Sequence, residues 1–204
     1  MFTPADRELE RGWPGRVDGD RVVQLAAQTL QAFFSGGGGA REHAVYPLAE
    51  VVLRAPVLHP PSVRLFADDG DFAFANPAAI HGPGGAVRLP GGVDEIVPVV
   101  RRTAIVGLDG GVGAYTLLVE WVAPQLEGAK RNDFALSLGP LALTPDEVAE
   151  VPLEPLLERA ARHTRLLPGD LVAEPGGALS PLGAGQALEV ERGGFGLLRV
   201  PVVR

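Results

Sequence analysis

Residues 81–107, HGPGGAVRLPGGVDEIVPVVRRTAIVG, form the stretch of sequence that decides the fold. The stretch begins with closely spaced Gly and Pro and continues into two runs rich in Val and Ile, at 96–100 and 103–106. β-branched residues favour strands, whereas Gly and Pro mark turns and loops. The stretch therefore predicts a tight loop that leads into two β-strands.

Short apolar runs separated by Gly and Pro continue on both sides of this stretch. Runs of this length, bounded by turn residues, are typical of strands. Further strands are predicted at 86–89, 115–119 and 138–143, and a closing hairpin at 187–191 and 196–203 around Gly193-Gly194.

Two helices are indicated after the strands. Thr144-Pro145-Asp146-Glu147 is a capping box with Pro at the first helical position, so a helix is expected to begin at Thr144. A second helix is expected from Pro155 to about Arg165, with apolar residues along one face. Many strands with few helices predict a β-rich α+β fold, a β-roll with a few short helices.

The first 60 residues have a different texture and are predicted to form a small N-terminal appendage to a domain spanning 61–204. Asp18-Gly19 predicts a type I′ turn between strands around Val17 and Val22. A short amphipathic helix is expected to follow from Gln24 to Phe34.

Composition excludes several classes of function. The net charge of −7 does not favour a nucleic-acid partner. The absence of Cys removes disulfides, thiolate zinc sites and Cys nucleophiles. No apolar stretch approaches the roughly 18 residues of a membrane helix, and the N-terminus does not resemble a signal peptide. The expectation is a cytoplasmic protein without a membrane partner.

Several segments in order resemble the catalytic domain of the fumarylacetoacetate hydrolase family. The region 81–107 is similar to the signature of that family, and residues 74–77 stand where it usually carries Phe-x-Lys-Pro. VGAYT at 112–116 resembles the family's VAGYT strand, and AKRNDF at 129–134 followed by LGP at 138–140 resembles its AKxxD…GP segment. The turn at 167–170 and the closing hairpin complete the resemblance.

The resemblance implies a dimeric β-roll that binds Mg²⁺ or Ca²⁺ and cleaves, decarboxylates or isomerises oxo-dioate compounds from aromatic catabolism. In the family the metal is held by a Glu-x-Glu pair and an Asp on a neighbouring strand. The matching positions here are Val99, Arg101 and Glu120. Val has no ligand atom and Arg carries a permanent positive charge, so only Glu120 is left as a weak candidate ligand. We expect no metal, or Mg²⁺ or Ca²⁺ only in an altered site.

Two family residues are kept, as catalytic candidates. Lys130, the only Lys of the chain, matches the family Lys that faces the substrate, and Asp133 matches a supporting carboxylate. The plainer interpretations are a surface Lys and a solvated turn residue. Arg101 either neutralises Glu120 in place of the metal or, together with Lys130, binds a substrate carboxylate; an exposed strand Arg is the alternative.

Three functions stay open at this stage. The chain is either an enzyme of the family's type with an altered or absent metal, or a non-catalytic subunit that pairs with an active paralogue, or a small-molecule carboxylate-binding protein. The second is similar to the first half of the isomerase/decarboxylase of the homoprotocatechuate pathway, which also lacks the Glu-x-Glu pair. A homodimer, or a heterodimer with a paralogue, is expected.

Overall fold

The computed structural model describes residues 1–7, 9, 11–34, 38–148 and 152–204. Its α-helices are α1 (Leu30–Phe34) and α2 (Glu154–Ala161), and short 3₁₀ turns lie at Leu48–Glu50, Pro77–Ala79, Gly128–Arg131 and Pro145–Glu147. The strands of the first half are β1 (Phe2–Pro4), β2 (Gly15–Asp18), β3 (Arg21–Ala27), β4 (Gly38–Pro47), β5 (Val51–Leu53), β6 (Val63–Phe66), β7 (Phe72–Ala75), β8 (Ile80–His81) and β9 (Val87–Arg88). Those of the second half are β10 (Glu95–Val106), β11 (Val112–Val122), β12 (Leu136–Leu138), β13 (Leu171–Ala173), β14 (Gly177–Ala178), β15 (Leu182–Gly183), β16 (Ala187–Glu191) and β17 (Leu197–Val203).

A sheet of nine strands dominates the molecule, which confirms the predicted β-rich α+β class. Its order is β7-β6-β13-β10-β11-β12-β8, with β14 and β15 also paired to β10. The two strands predicted at 96–100 and 103–106 are one continuous strand, β10. Strands β16, β17 and β9 form a separate sheet that confirms the predicted closing hairpin.

The central strands of the nine-stranded sheet are buried on both faces. Leu117, Val119 and Trp121 of β11 pack into one apolar cluster, whereas Leu118 of the same strand packs into another. Side chains of a strand alternate between the two faces, so Glu120 is on the face of Leu118. Each cluster thus fixes the face on which the polar residues of this strand lie.

The first 60 residues form small sheets of their own, β2-β3-β4 and β1-β5. The predicted hairpin is present, but its central residues are Gly19 and Asp20, and of these only Gly19 has a positive φ, 58°. The helix predicted from Gln24 is wrong up to Ala27, because β3 runs through these residues and pairs with β4. Backbone pairing with a neighbouring strand overrides the weak helical pattern. The domain division at residue 60 stays a prediction.

The predicted helices are shorter than expected. At Thr144 the capping box is present, with the Thr144 N–H donating to the Glu147 carboxylate at 2.8 Å, but it starts only a 3₁₀ turn. That turn ends because Val148 has an extended backbone, φ −118° and ψ 124°. Helix α2 ends at Ala161, four residues before the predicted end, since Arg162 leaves the helical conformation with a ψ of 123° and His163 adopts a positive φ of 61°. Among the described residues, no helix has the length and apolar character that crossing a membrane requires.

A hydrogen bond between Tyr115 and Glu154 ties α2 to the sheet and predicts a loss of stability at high pH. The Tyr115 hydroxyl donates to Glu154 Oε1 at 3.0 Å, and burial together with this bond raises the pKa of Tyr115 to about 12 from 10.0. The neutral phenol therefore stabilises the fold fully below pH 10, and this contribution is lost as the pH rises towards 12. We expect the free energy of unfolding to fall over this window in urea titrations. The variant Tyr115→Phe should show a smaller fall, and equal slopes for the two proteins would contradict the expectation.

Candidate functional site

The residues at the family's metal positions lie on one face of two paired strands. Val99 of β10 stands opposite Glu120 of β11, and Arg101 stands opposite Leu118. Val99 and Arg101 are two residues apart, so their side chains leave the sheet on the same face. The face is the one that Glu120 shares with Leu118. The long antiparallel pair therefore brings the three positions together.

Arg101 binds Glu120, which is one of the alternatives that the sequence left open. Its Nε and Nη2 donate to Glu120 Oε2 at 3.2 and 2.7 Å. Its Nη1 donates to the backbone carbonyls of Phe66 and Glu174, at 2.8 and 2.9 Å. The side chains of Arg101 and Glu120 are only 12% and 8% exposed. One guanidinium thus joins four chain segments at a nearly dry position.

The second oxygen of Glu120 is also occupied. Asn132 Nδ2 donates to Glu120 Oε1 at 2.7 Å. The sequence alone does not indicate this role for Asn132, although the residue lies between Lys130 and Asp133 in the segment that resembles the family motif. An amide donor reaching an internal carboxylate has no signature in sequence. With Arg101 on one oxygen and Asn132 on the other, the carboxylate of Glu120 is enclosed by donors.

Lys130 and Asp133 lie beside this network and pair with each other. Lys130 Nζ is 2.8 Å from Asp133 Oδ2, and the Lys130 side chain is 79% exposed while that of Asp133 is 29% exposed. Asn76 Nδ2 donates to the Asp133 carbonyl at 3.1 Å, which fixes the end of the segment. Because Asn132 of the same segment reaches Glu120, the exposed Lys130 is held near the outer side of the buried pair. The catalytic and substrate-binding roles of Lys130, Asp133 and Arg101 stay predictions.

The chain segment that follows β13 covers the same face. A Cβ placed on Gly176 would lie 2.6 Å from Arg101 Cγ and 2.7 Å from Val99 Cγ1, so this segment packs directly onto both side chains. On the opposite face of β10, Arg102 forms a bidentate pair with Glu174 at 2.6 and 2.7 Å. The hydrogen bond to Glu174 raises the pKa of Arg102. The segment is therefore held by two arginines in succession.

These residues do not fit a divalent metal ion. Mg²⁺ requires a near-octahedral set of oxygen ligands, usually with carboxylates. Here the only carboxylate at the three positions already accepts hydrogen bonds on both oxygens, and a guanidinium occupies the adjacent space. Within 1–7, 9, 11–34, 38–148 and 152–204, no group of three or more His, Asp or Glu side chains is arranged to hold a metal.

Solved structures share this fold, whereas no protein-family model and no curated protein matches the sequence. Maleylpyruvate hydrolase from Sphingobium sp. SYK-6 has a TM-score of 0.77 and 19% identity, over 95% of this chain and 97% of that one. The 2-hydroxyhepta-2,4-diene-1,7-dioate isomerase from Mycobacterium marinum has a TM-score of 0.75 and 21% identity, over 94% and 93%. The same hydrolase, in complex with manganese and pyruvate, matches with a TM-score of 0.75 and 20% identity, over 95% and 97%.

The architecture defined by these matches is a β-rich roll shared with hydrolases and isomerases. More narrowly, the fold is that of the fumarylacetoacetate hydrolase family, and the resemblance read from the sequence is confirmed at this level.

Proposed function

We propose that this chain is a degenerate member of the fumarylacetoacetate hydrolase family, which binds oxo-acid intermediates of aromatic catabolism without a metal ion. The shared fold supports the substrate class, because similar structures include a maleylpyruvate hydrolase and a heptadienedioate isomerase. We also place the protein in the cytoplasm, a compartment that the lack of Cys fits.

The observation that carries the proposal is the contact between Arg101 and Glu120, 2.7 Å from Nη2 to Oε2. A guanidinium offers five donors and no lone pair, so it cannot coordinate a metal. Its fixed charge also repels a divalent cation strongly where the surroundings exclude water. Hydrolysis, isomerisation or decarboxylation that depends on a metal at this position is therefore not expected.

Lys130 is the side chain that we assign to the carboxylate of the ligand. Arg101 is not assigned to the ligand, because its guanidinium already donates four hydrogen bonds within the protein. Its role is to neutralise Glu120. Lys130 has an exposed ammonium group whose bond to Asp133 is at the surface, where exchange for a ligand carboxylate costs little. Asp133 would orient Lys130 rather than touch the ligand.

Binding of 2-oxoadipate in the presence of EDTA tests the proposal by calorimetry. The native protein is expected to contain no stoichiometric divalent metal by mass spectrometry, and to bind 2-oxoadipate equally well with and without the chelator. Lys130→Gln should weaken binding by about tenfold, which corresponds to the loss of one charge-assisted contact. Arg131→Gln, a change of the same charge one residue away, is the control and should bind as the native protein does. Binding that EDTA abolishes would contradict the proposal.

A non-catalytic subunit that pairs with an active paralogue is the second candidate. The hydrogen bonds among Arg101, Glu120 and Asn132 support this candidate as well. A chain that does not hold a metal itself can still serve as the partner of a paralogue that does. Light scattering of the protein mixed with a metal-bearing family member separates the candidates. A stable heterodimer in which 2-oxoadipate binds only the partner would support the subunit role, whereas a homodimer that binds the oxo-acid itself would support the first proposal.

A further inference from the structure

A cavity of about 450 Å³ lies far from Glu120, between the N-terminal sheets and the segment around residues 140–147. Its walls come from β2, β3, α1 and the strands β1 and β5 on one side, and from residues 140–144 on the other. Ala114 of β11 also lines the cavity. Ala114 and Glu120 are six residues apart on one strand, so about 20 Å separates the two sites.

Most of the cavity wall is apolar. Phe2 and Phe33 contribute aromatic rings, and Val22, Leu25, Leu30 and Leu143 contribute aliphatic side chains. The ring of Phe2 is held in place by Trp13 and Tyr46, with centroid distances of 6.1 and 5.4 Å. The volume is within the range of small-molecule sites, roughly 300 to 1,000 Å³. The space opens to solvent at Arg16 and Glu42, whose side chains are 58% and 59% exposed. A ligand with an apolar body would displace water from the apolar walls, which favours its binding.

The charged side chains of the cavity are Arg16, Glu42 and Glu147. Arg16 Nη2 donates to Glu42 Oε1 at 2.8 Å. Among the described residues, this is the one hydrogen bond between the two side chains. Glu147 accepts from the backbone N–H and hydroxyl of Thr144, both at 2.8 Å. The three charges sum to one negative charge, which disfavours a carboxylate ligand. A neutral hydroxyl, in contrast, can accept from Arg16 and donate to Glu42 at the same time.

We propose that this cavity binds a neutral aromatic alcohol or phenol, with its ring between Phe2 and Phe33 and its hydroxyl between Arg16 and Glu42. Aromatic rings pack well against the edges and faces of Phe side chains. The hydroxyl fixes the orientation, in the manner of a few polar groups in a mainly apolar pocket. The site is independent of the oxo-acid function, because neither Lys130 nor Glu120 lines it.

Three naphthalene derivatives of matched shape test the chemical class, with the full chain and fluorescence titration. We expect 2-naphthol to bind with 1:1 stoichiometry. Naphthalene lacks the hydroxyl and 2-naphthoate carries a negative charge, so each should bind at least about tenfold more weakly. Equal or tighter binding of 2-naphthoate would overturn the assignment, as would a failure of 2-naphthol to saturate.

Variants locate the site. Leu25→Trp fills the cavity and should weaken 2-naphthol binding at least about tenfold, and Leu30→Trp does so from the helical side if the first variant does not fold. Arg16→Gln should reduce the preference for 2-naphthol over naphthalene. The control is Arg21→Gln in the same hairpin, since Arg21 pairs with Asp18 and Asp20 and does not line the cavity. Unchanged 2-naphthol binding in folded Leu25→Trp or Leu30→Trp would overturn the proposal. A last outcome would also overturn the proposal: the native protein is a dimer that binds no 2-naphthol, and these variants are monomers. In that case a second copy of the chain covers the cavity.

Discussion

Replacing Arg101 with Met is expected to lower the free energy of unfolding by about 3 to 5 kcal/mol, the cost of leaving one partner of a buried ion pair alone. Glu120, whose side chain is 8% exposed in the native protein, would keep Asn132 as its hydrogen-bond donor but lose its counter-charge. The carbonyls of Phe66 and Glu174 would lose their donor as well. Urea denaturation at pH 7 measures the difference.

The neighbouring residue on β10 provides a matched control. Arg102 forms its own bidentate pair with Glu174, but the two side chains are 40% and 21% exposed. Solvent screens this pair, so Arg102→Met should cost about 1 kcal/mol or less. Equal losses for the two variants would mean that the burial of the Arg101 pair does not matter.

A double variant separates the missing charge partner from lost packing. If the loss in Arg101→Met comes from the isolated charge of Glu120, then Arg101→Met combined with Glu120→Leu should recover most of it, because apolar side chains of similar volume replace buried ion pairs at little cost. A double variant that is less stable than Arg101→Met alone would contradict this explanation.

Replacing both Val99 and Arg101 with Glu is expected to make the stability of the protein depend on a divalent metal. Both new carboxylates extend from β10 on the face that carries Glu120, and position 99 is paired directly with Glu120. The change amounts to roughly three units of negative charge, so the three carboxylates repel one another without a cation. Mg²⁺ or Mn²⁺ relieves the repulsion through oxygen ligands.

Thermal unfolding with and without metal measures this effect. A metal concentration of about 100 times Kd should stabilise the double variant by about 2.7 kcal/mol, whereas the native protein should not respond. Val99→Gln with Arg101→Gln keeps the size of the new side chains without their charge, and we expect metal to leave its stability unchanged, as in the native protein. If Mg²⁺ and Mn²⁺ stabilise the Glu variant no more than the Gln variant, the correspondence with the family's metal positions is wrong.

The sequence predicted the class of the fold because its Val- and Ile-rich runs and its Gly and Pro turns are local signals. It predicted two strands where there is one, because Arg101 and Arg102 interrupt the apolar pattern of β10. Each of these charges is neutralised by a glutamate distant in sequence, Glu120 and Glu174. Such compensation between distant positions is not visible in a local window.

For the candidate site, the sequence indicated the residues that match a family motif but not the contacts that depend on the folded chain. Arg101 and Glu120 followed from a residue-by-residue match to a family motif, and their contact is present. Asn132 was missed, because an amide acquires this role only when its segment folds over the strand. The cavity was also missed, since its walls combine Phe2 with residues 140–144, which are adjacent only in the folded chain.

The pairing of β10 also sets an order of events during synthesis. On one side β10 pairs with β11, which follows it directly, but on the other it pairs with β13, β14 and β15, which extend to Gly183. Strand β6 must likewise wait for β13, more than 100 residues later, as Val63 pairs with Leu171. Pairings this distant in sequence are slow to form. In a nascent chain, one edge of the β10–β11 pair therefore stays unpaired until β13, β14 and β15 have been translated. This unpaired edge is the surface that a chaperone would need to shield.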